Sequence, residues 1–204
     1  MKRPAHQVLV LDDNPAVRAG LELLLTTRGY QVRLFRDPDD FLATALPAEP
    51  ACLLLDNQLE ARISGIEVHA EIVRRGWILP TIFLTAHWNV QSVVSAIRAG
   101  ADGFLTKPYD PIELLNVVDE ALLRAQAAHR ERLQQSDARA RAASLTPREL
   151  EIVKRVLVGK LNKEIADELD LALVTVKVHR GRAMSKLGAG NPIELARIAS
   201  QAGI

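Results

Sequence analysis

The chain of 204 residues contains a single cysteine, Cys52. That excludes a disulfide framework and any zinc site that needs several thiolates. No apolar run approaches the ~18 residues of a membrane-spanning helix, so no membrane partner is expected. The N-terminus is basic, but its apolar run Val8-Leu9-Val10-Leu11 is too short for a signal peptide, and two aspartates follow at once. A cytoplasmic protein is the simplest expectation. Long low-complexity tracts are also missing. What remains is 48% hydrophobic and 25% charged, the composition of a folded chain.

A net charge of +1 hides an asymmetry. Residues 1–124 carry 12 Lys and Arg against 16 Asp and Glu, net −4. Residues 125–143 carry 4 against 2, net +2, and residues 144–204 carry 10 against 7, net +3. An acidic front and a basic tail suggest two domains with different partners.

The front alternates strand and helix signals. Val8–Leu11 is a short apolar run ended by Asp12-Asp13. Pro15 opens a helix with Val17, Leu21, Leu24 and Leu25 on one face, and Gly29 stops it. Tyr30–Phe35 reads as a strand, and a short helix follows Pro38. Cys52–Asp56 is a second buried strand ending in aspartate. Ser64–Arg74 reads as a helix and Thr81–Leu84 as a strand. Val90, Val93, Val94 and Ile97 mark a helix face, Gly103–Thr106 a fifth strand, and a last helix starts near Asp110-Pro111. This predicts an α/β, doubly wound, five-stranded parallel sheet with helices on both faces.

No Gly or Pro interrupts the last helix through Ser144. Residues 125–143, rich in Ala, Arg and Gln, read as a helical linker solvated on most sides. Beyond it, Thr146, Pro147 and Glu149 form a capping-box signature. Leu150, Val153 and Leu157 then give a first helix its inner face. Asn162 is placed to cap a second helix carrying Ile165, Ala166 and Leu169. A third begins near Leu173 and runs to Leu187, with Val176, Ala183, Met184 and Leu187 inward, and a fourth follows Pro192. Four short helices make a small all-α domain. The expected division is 1–124, 125–143 and 144–204.

In a doubly wound sheet, chemistry sits at the carboxyl ends of the strands. Four strands here end on Asp12-Asp13, Asp56, Thr85 and Lys107. Any one alone reads as a helix cap or surface charge. Together they form an acidic cluster that needs a cation, and hard oxygen ligands favour Mg²⁺. A lysine and a threonine hydroxyl beside it suit phosphoryl oxygens, and a carboxylate can act as nucleophile to form an acyl phosphate.

These residues resemble the acidic pair, phosphoacceptor, switch hydroxyl and Lys-Pro of a two-component receiver domain, over about residues 5–124. The resemblance implies that Asp56 accepts a phosphoryl group from a histidine kinase. It implies that Asp12, Asp13, Asp56 and the backbone carbonyl of Gln58 hold Mg²⁺. Thr85 and Lys107 would contact the phosphoryl oxygens, Phe104 would be the aromatic switch or a packed strand residue, and the Lys107-Pro108 bond would be cis. The segment Asp56–Gly65 departs from the family. Glu60 stands where the family has proline, and Gly65 lies nine residues after Asp56 instead of eight. This loop is read as one residue longer, with the Glu60 and Arg62 side chains facing solvent.

In the tail, the third helix carries Thr175, Lys177, Val178, Arg180, Arg182 and Lys186 opposite its apolar face. Charge alone would suit mere solubility. However, Leu145-Thr146-Pro147-Arg148-Glu149, Asn162-Lys163-Glu164-Ile165-Ala166, Thr175-Val176-Lys177-Val178-His179-Arg180 and Lys186-Leu187 resemble the LuxR-type helix-turn-helix in order and spacing. With the receiver in front, the chain resembles a response regulator of the NarL/FixJ class, FixJ-like branch. By that resemblance Lys177 and Val178 meet base edges. Asn162, Lys163, Thr175, Arg180 and Lys186 meet the DNA backbone. Gly181 occupies a third base-reading position without a side chain, leaving specificity to Arg180 or Arg182. Ala172 replaces a serine cap, unless Asp170 substitutes. His179 suits a phosphate contact or a packed position equally.

The implied function is a transcription factor whose binding to double-stranded promoter DNA is controlled by phosphorylation of Asp56. Dimerisation is expected on the fourth helix, fifth strand and fifth helix, and RNA polymerase is a further candidate partner. No substrate activity is expected beyond slow self-phosphorylation and dephosphorylation. The rivals are an aspartyl-phosphate phosphohydrolase, a phosphorylation-independent regulator with a degenerate receiver, and an RNA-binding antiterminator. The first lacks a second acidic motif, and the third fits the LuxR-type motif poorly.

Overall fold

The computed structural model of the chain describes residues 6–86 and 100–204. His87 and the helix face read at Val90, Val93, Val94 and Ile97 lie outside them. The chain divides into two compact units, residues 1–129 and 130–204.

The first unit contains β1 (Gln7–Leu11), α1 (Pro15–Thr27), β2 (Gln31–Phe35), α2 (Pro38–Ala43), β3 (Ala51–Asp56), α3 (Gly65–Arg74), β4 (Thr81–Thr85), β5 (Gly103–Thr106) and the start of α4 (Pro111–Ala143). The strands are parallel in the order β2-β1-β3-β4-β5. Sheet growth reverses between β1 and β3, and a crevice opens there outside the carboxyl ends of the strands. Leu11 lies opposite Leu55, Asp56 opposite Leu84 and Thr85 opposite Thr106. The residues at or just after these ends are therefore level along one edge.

Both sheet faces are covered. Val8, Val10, Cys52, Leu54, Ile82, Leu84 and Leu105 pack with Leu21 and Leu25 of α1 and with Leu114, Leu115, Val118 and Leu122 of α4. Leu9, Leu11, Leu53, Leu55 and Phe83 pack on the other face with Phe41, Val68 and Ile72. This is the period-2 alternation of strands buried on both sides. Asn14 caps α1 ahead of Pro15, and Ser64 with Glu67 forms a capping box at α3, so Ser64 is the cap of that helix and not its first residue.

The second unit contains residues of α4 from Arg130 onward, α5 (Pro147–Leu157), α6 (Asn162–Leu169), α7 (Leu173–Leu187) and α8 (Pro192–Ala202). Its core joins Ile152, Val153, Val156, Ile165, Val176, Ala183, Leu187, Leu195 and Ile198. The α5 stripe is rotated from the one expected. Ile152, Val153 and Val156 are buried, while Leu150 and Leu157 are half-buried. The rotation carries Glu149 inward, where its carboxylate has partners.

Residues 125–143 are helical, but not uniformly solvated. Residues 130–134 are exposed, whereas Ala125 and Ala138 are buried, Ala138 in the core of the second unit. Alanine lets a helix lie close to what it packs on. Asn162 is not a cap: it is the first residue of α6, Leu161 occupies the cap position, and the Glu164 carboxylate accepts from the Leu161 N–H at 2.6 Å. Nor does Asp170 cap α7. It terminates α6 in the left-handed region, φ 48°, and Ala172 offers no side-chain cap.

Candidate functional site

The crevice at the β1/β3 switch point gathers the acidic residues. Asp12 follows β1 and is fully buried, Asp56 ends β3 and is nearly so, and Asp13 is half-buried. Carboxylate oxygens of all three lie within 4.8 Å of one another. Lys107, just after β5, places Nζ 2.7 Å from Asp12 Oδ2 and 2.9 Å from Asp56 Oδ2. Its backbone N–H donates to the Thr85 carbonyl at 2.7 Å, and the Lys107-Pro108 bond is cis.

Backbone donors fix the remaining oxygens. Asp12 Oδ1 accepts from the Asn14 N–H at 2.9 Å, and Asp56 Oδ1 from the Gln58 N–H at 3.1 Å. Arg18 of α1 donates to the Asp12 carbonyl at 2.6 Å. Thr85 is fully buried at the end of β4, and Ala86 beside it is exposed. Phe104 is half-buried against the cluster containing Phe83.

Burial pushes the Asp56 carboxyl above its ordinary value. Hydrogen bonds from Lys107 and Gln58 and the Lys107 charge oppose this, and the Asp12 charge adds to it. Burial alone would pull the Lys107 ammonium down, but its bonds to Asp12 and Asp56 outweigh that and hold it above an ordinary lysine. Three carboxylates and one ammonium leave a formal charge of −2. All the anionic donors are hard oxygens, and the set fits a divalent cation such as Mg²⁺.

The long loop after Asp56 is anchored by Leu59 and Ile63, which pack against the core, while Glu60, Ala61 and Arg62 are exposed between them. The Glu60 side chain faces outward as expected. Its backbone N–H, however, donates to Asp13 Oδ2 at 2.7 Å. Side-chain chemistry gave no signal of that contact.

In the second unit, α6, a three-residue turn and α7 form a helix-turn-helix. Lys163, Lys177 and Arg182 are exposed and belong to no ion pair among the described residues. Val178 is exposed on the same helix as Lys177, and Thr175 is half-buried. Arg180 and Asn162 are instead joined, guanidinium to side-chain carbonyl, at 2.6 Å. Lys186 is tied to the buried Glu149 carboxylate at 2.6 Å and to the Ser144 carbonyl at 3.0 Å. The Lys186 bond first, and then the Thr146 N–H that the same carboxylate accepts at 2.8 Å, hold the Glu149 carboxyl below its ordinary value. The pairing of Lys186 with Glu149 spans 37 positions and lay beyond a local reading.

Gly181 lies inside α7, where an added Cβ would meet nothing within 4 Å. Glycine in a helix interior costs about 0.5–1 kcal/mol against alanine. Gly181→Ala is therefore expected to stabilise the second unit by about that amount, read as a higher melting temperature by far-ultraviolet circular dichroism. An unchanged or lower melting temperature would refute this.

A parallel α/β sheet with an acidic crevice, followed by a helix-turn-helix unit, defines a phosphoacceptor-type regulator that reads DNA. Similarity to known proteins agrees. Residues 8–119 match the response regulator receiver domain, and residues 143–199 match the bacterial regulatory proteins of the luxR family. The transcriptional regulatory protein TdiR of Thauera aromatica is 37% identical over 188 residues, 90% of this chain and 81% of TdiR. The transcriptional regulatory protein FixJ of Bradyrhizobium diazoefficiens is 32% identical over 197 residues, 97% of this chain and 96% of FixJ. The solved structure of the response regulator StyR superposes with a TM-score of 0.87 at 34% identity, covering 97% of this chain and all of that one. The chain belongs to the two-component response regulators of the NarL/FixJ class, with a receiver domain and a LuxR-type DNA-binding domain. No helix among the described residues is long and apolar enough to cross a membrane.

Proposed function

We propose that Asp56 is the phosphoacceptor and that its phosphorylation controls binding of the C-terminal domain to promoter DNA. The observation that carries this is Asp56 itself, nearly buried at the crevice, its carboxylate bridged to that of Asp12 by the Lys107 ammonium. A carboxylate oxygen of Asp56 attacks the phosphorus of a kinase phosphohistidine. The P–O bond forms as the P–N bond breaks, and the electron pair leaves with the imidazole. Lys107 and the Thr85 hydroxyl contact the phosphoryl oxygens, and Phe104 responds to Thr85 as the switch. Asp12, Asp13, Asp56 and the Gln58 carbonyl hold Mg²⁺, which when bound offsets the negative charge of the transferring group. Slow loss of the phosphoryl group to water is the only hydrolysis expected.

Domain boundaries at 1–124, 125–143 and 144–204 accompany this reading, with the end of the linker serving the C-terminal domain. Lys177 and Val178 read base edges in the major groove, and Arg182 adds to specificity. Lys163 and Thr175 meet phosphates, joined by Asn162 and Arg180 once their mutual bond rearranges, and by the third ammonium hydrogen of Lys186, whose bonds to Glu149 and Ser144 stay in place. Two phosphorylated chains form a dimer spanning half-sites about one helical turn apart. RNA polymerase is the partner of the DNA-bound form, and the cytoplasm is its compartment.

The test is intact mass after incubation with acetyl phosphate and Mg²⁺, beside Asp56→Asn. A single phosphoryl gain is expected in the parent and none in the variant. Tighter salt-dependent duplex binding should accompany the gain. A gain that survives in Asp56→Asn would overturn the assignment of Asp56. Equal DNA affinity with and without the gain would favour a phosphorylation-independent regulator, the reading that the longer loop keeps open.

A further inference from the structure

We propose that Arg141, in the last turn of α4, is a positioning residue for DNA binding that holds the C-terminal end of α7 in place. This rests on the reading of α7 as the recognition helix. Arg141 precedes the stretch matched by the luxR family, which begins at residue 143.

Gln134, Ala138, Arg141 and Ala142 follow the spacing of one helix face. All four contact other elements of the second unit, to which this end of α4 belongs. The Gln134 carbonyl accepts from the Gln201 side chain at 3.4 Å, Ala138 is buried in the core, and Ala142 packs against it. Arg141 Nη1 donates to the Leu187 carbonyl at 3.2 Å, while Nη2 pairs with Asp137 at 2.8 Å.

The last four carbonyls of a helix have no partner within it. At the end of α7, the N–H groups of Gly188 and Ala189 take the Ser185 and Met184 carbonyls, and Arg141 takes that of Leu187. A cation here also meets the negative end of the helix dipole. Gly188 sits at φ +70°, and a Cβ on it would lie 2.5 Å from Arg141 Nη1. The glycine thus both completes the turn and admits the guanidinium. One residue before Leu187, Lys186 is anchored to Ser144 and Glu149. Arg141, Ser144 and Glu149 thereby clamp the end of α7.

At 1.5 Å per residue, Lys177 lies about 15 Å along the axis from this clamp. Tilting α7 about its end by roughly 10° shifts Lys177 by about 2.5 Å, enough to break a base-edge hydrogen bond. Arg141 therefore aims the reading face without touching DNA.

The test uses the full chain and a duplex selected from a random-sequence pool by the parent protein. Arg141→Met is expected to weaken binding about tenfold, the scale of one lost base contact, with the slope of log affinity against log salt unchanged. Arg141→Lys should recover most of the affinity, since an ammonium can still reach the Leu187 carbonyl. A loss accompanied by a slope lower by about one would mark Arg141 as a phosphate contact and overturn the proposal. So would unchanged affinity in Arg141→Met. A second unit unfolded by circular dichroism in Arg141→Met would also overturn it, because the contact would then hold the fold and not aim a helix. Failure of the parent chain to select any duplex would instead defeat the DNA-binding reading itself.

Discussion

Lys107→Met is expected to destabilise the first unit by about 3–5 kcal/mol at neutral pH, the usual cost of stranding a buried charge. The ammonium bridges Asp12 and Asp56, both buried, and the methionine keeps the stem while removing the charge. The direction with pH follows from Asp56. Its folded carboxyl already sits above the ordinary value, so the folded state holds that proton more tightly than the unfolded state does. Stability therefore falls as pH rises through the interval between those two values. Removing Lys107 takes away a hydrogen bond and a charge that pull Asp56 down, and the interval widens upward. The variant should regain stability as pH is lowered from 7.5 towards 5, more than the parent does. Mg²⁺ should stabilise it too, by about 2.7 kcal/mol at a hundred times its Kd. Both tryptophans, Trp77 and Trp88, lie within residues 1–129, so their fluorescence in urea reports the first unit alone. Equal urea midpoints for variant and parent at pH 7.5 would show that Lys107 does not compensate the aspartates.

The parts of this site that sequence reveals are those written in one strand at a time. Asp12, Asp56, Thr85 and Lys107 each end a short apolar run, and parallel strands bring such ends level without further information. The capping box at Thr146 is local for the same reason, since four consecutive residues contain the whole interaction. What sequence conceals is set by the backbone or by distant partners. The Glu60 N–H on Asp13 depends on where Leu59 and Ile63 anchor the loop, not on the identity of residue 60. Glu149 looks like a surface residue of a helix start, yet it is buried, and Lys186 reaches its carboxylate from another helix.

The tail shows the same division more sharply. The helix from near Leu173 to Leu187 is legible, because its apolar positions repeat at helical spacing. The role of Asn162 is not. As a helix-start residue of the capping type it points to a cap, but the cap position falls on Leu161 and the Asn162 amide serves Arg180. Likewise alanine-rich 125–143 carries too little apolar contrast to reveal a packed face. Ala138 is buried by virtue of its small size, a property that hydropathy patterning weighs lightly.

Gly65→Ala is expected to cost the first unit about 3 kcal/mol and to reduce phosphoryl incorporation at least tenfold, although residue 65 offers no group to the reaction. A Cβ at this position would lie 2.3 Å from the Asp56 carbonyl oxygen and 2.9 Å from Asn57 Cα. Both are backbone atoms, so no rotamer change relieves the collision. Either the first turn of α3 moves, against its Ser64–Glu67 capping box and the Gly65 N–H bond to the Asn57 carbonyl, or the end of β3 moves and carries Asp56 with it. The second course shifts the Asp56 carboxylate relative to Lys107, which holds it at 2.9 Å. A displacement of a few tenths of an ångström in a nucleophile is costly because transfer depends on alignment with the incoming phosphorus. The same substitution at Gly181 meets open space and is expected to stabilise instead, so the contrast isolates the collision from the intrinsic preference for alanine. Urea unfolding by tryptophan fluorescence and the rate of mass gain with acetyl phosphate measure the two effects separately. Parent-like incorporation by Gly65→Ala would mean that the loop after Asp56 gives way without moving the strand, and that the glycine is not what holds the phosphoacceptor in register.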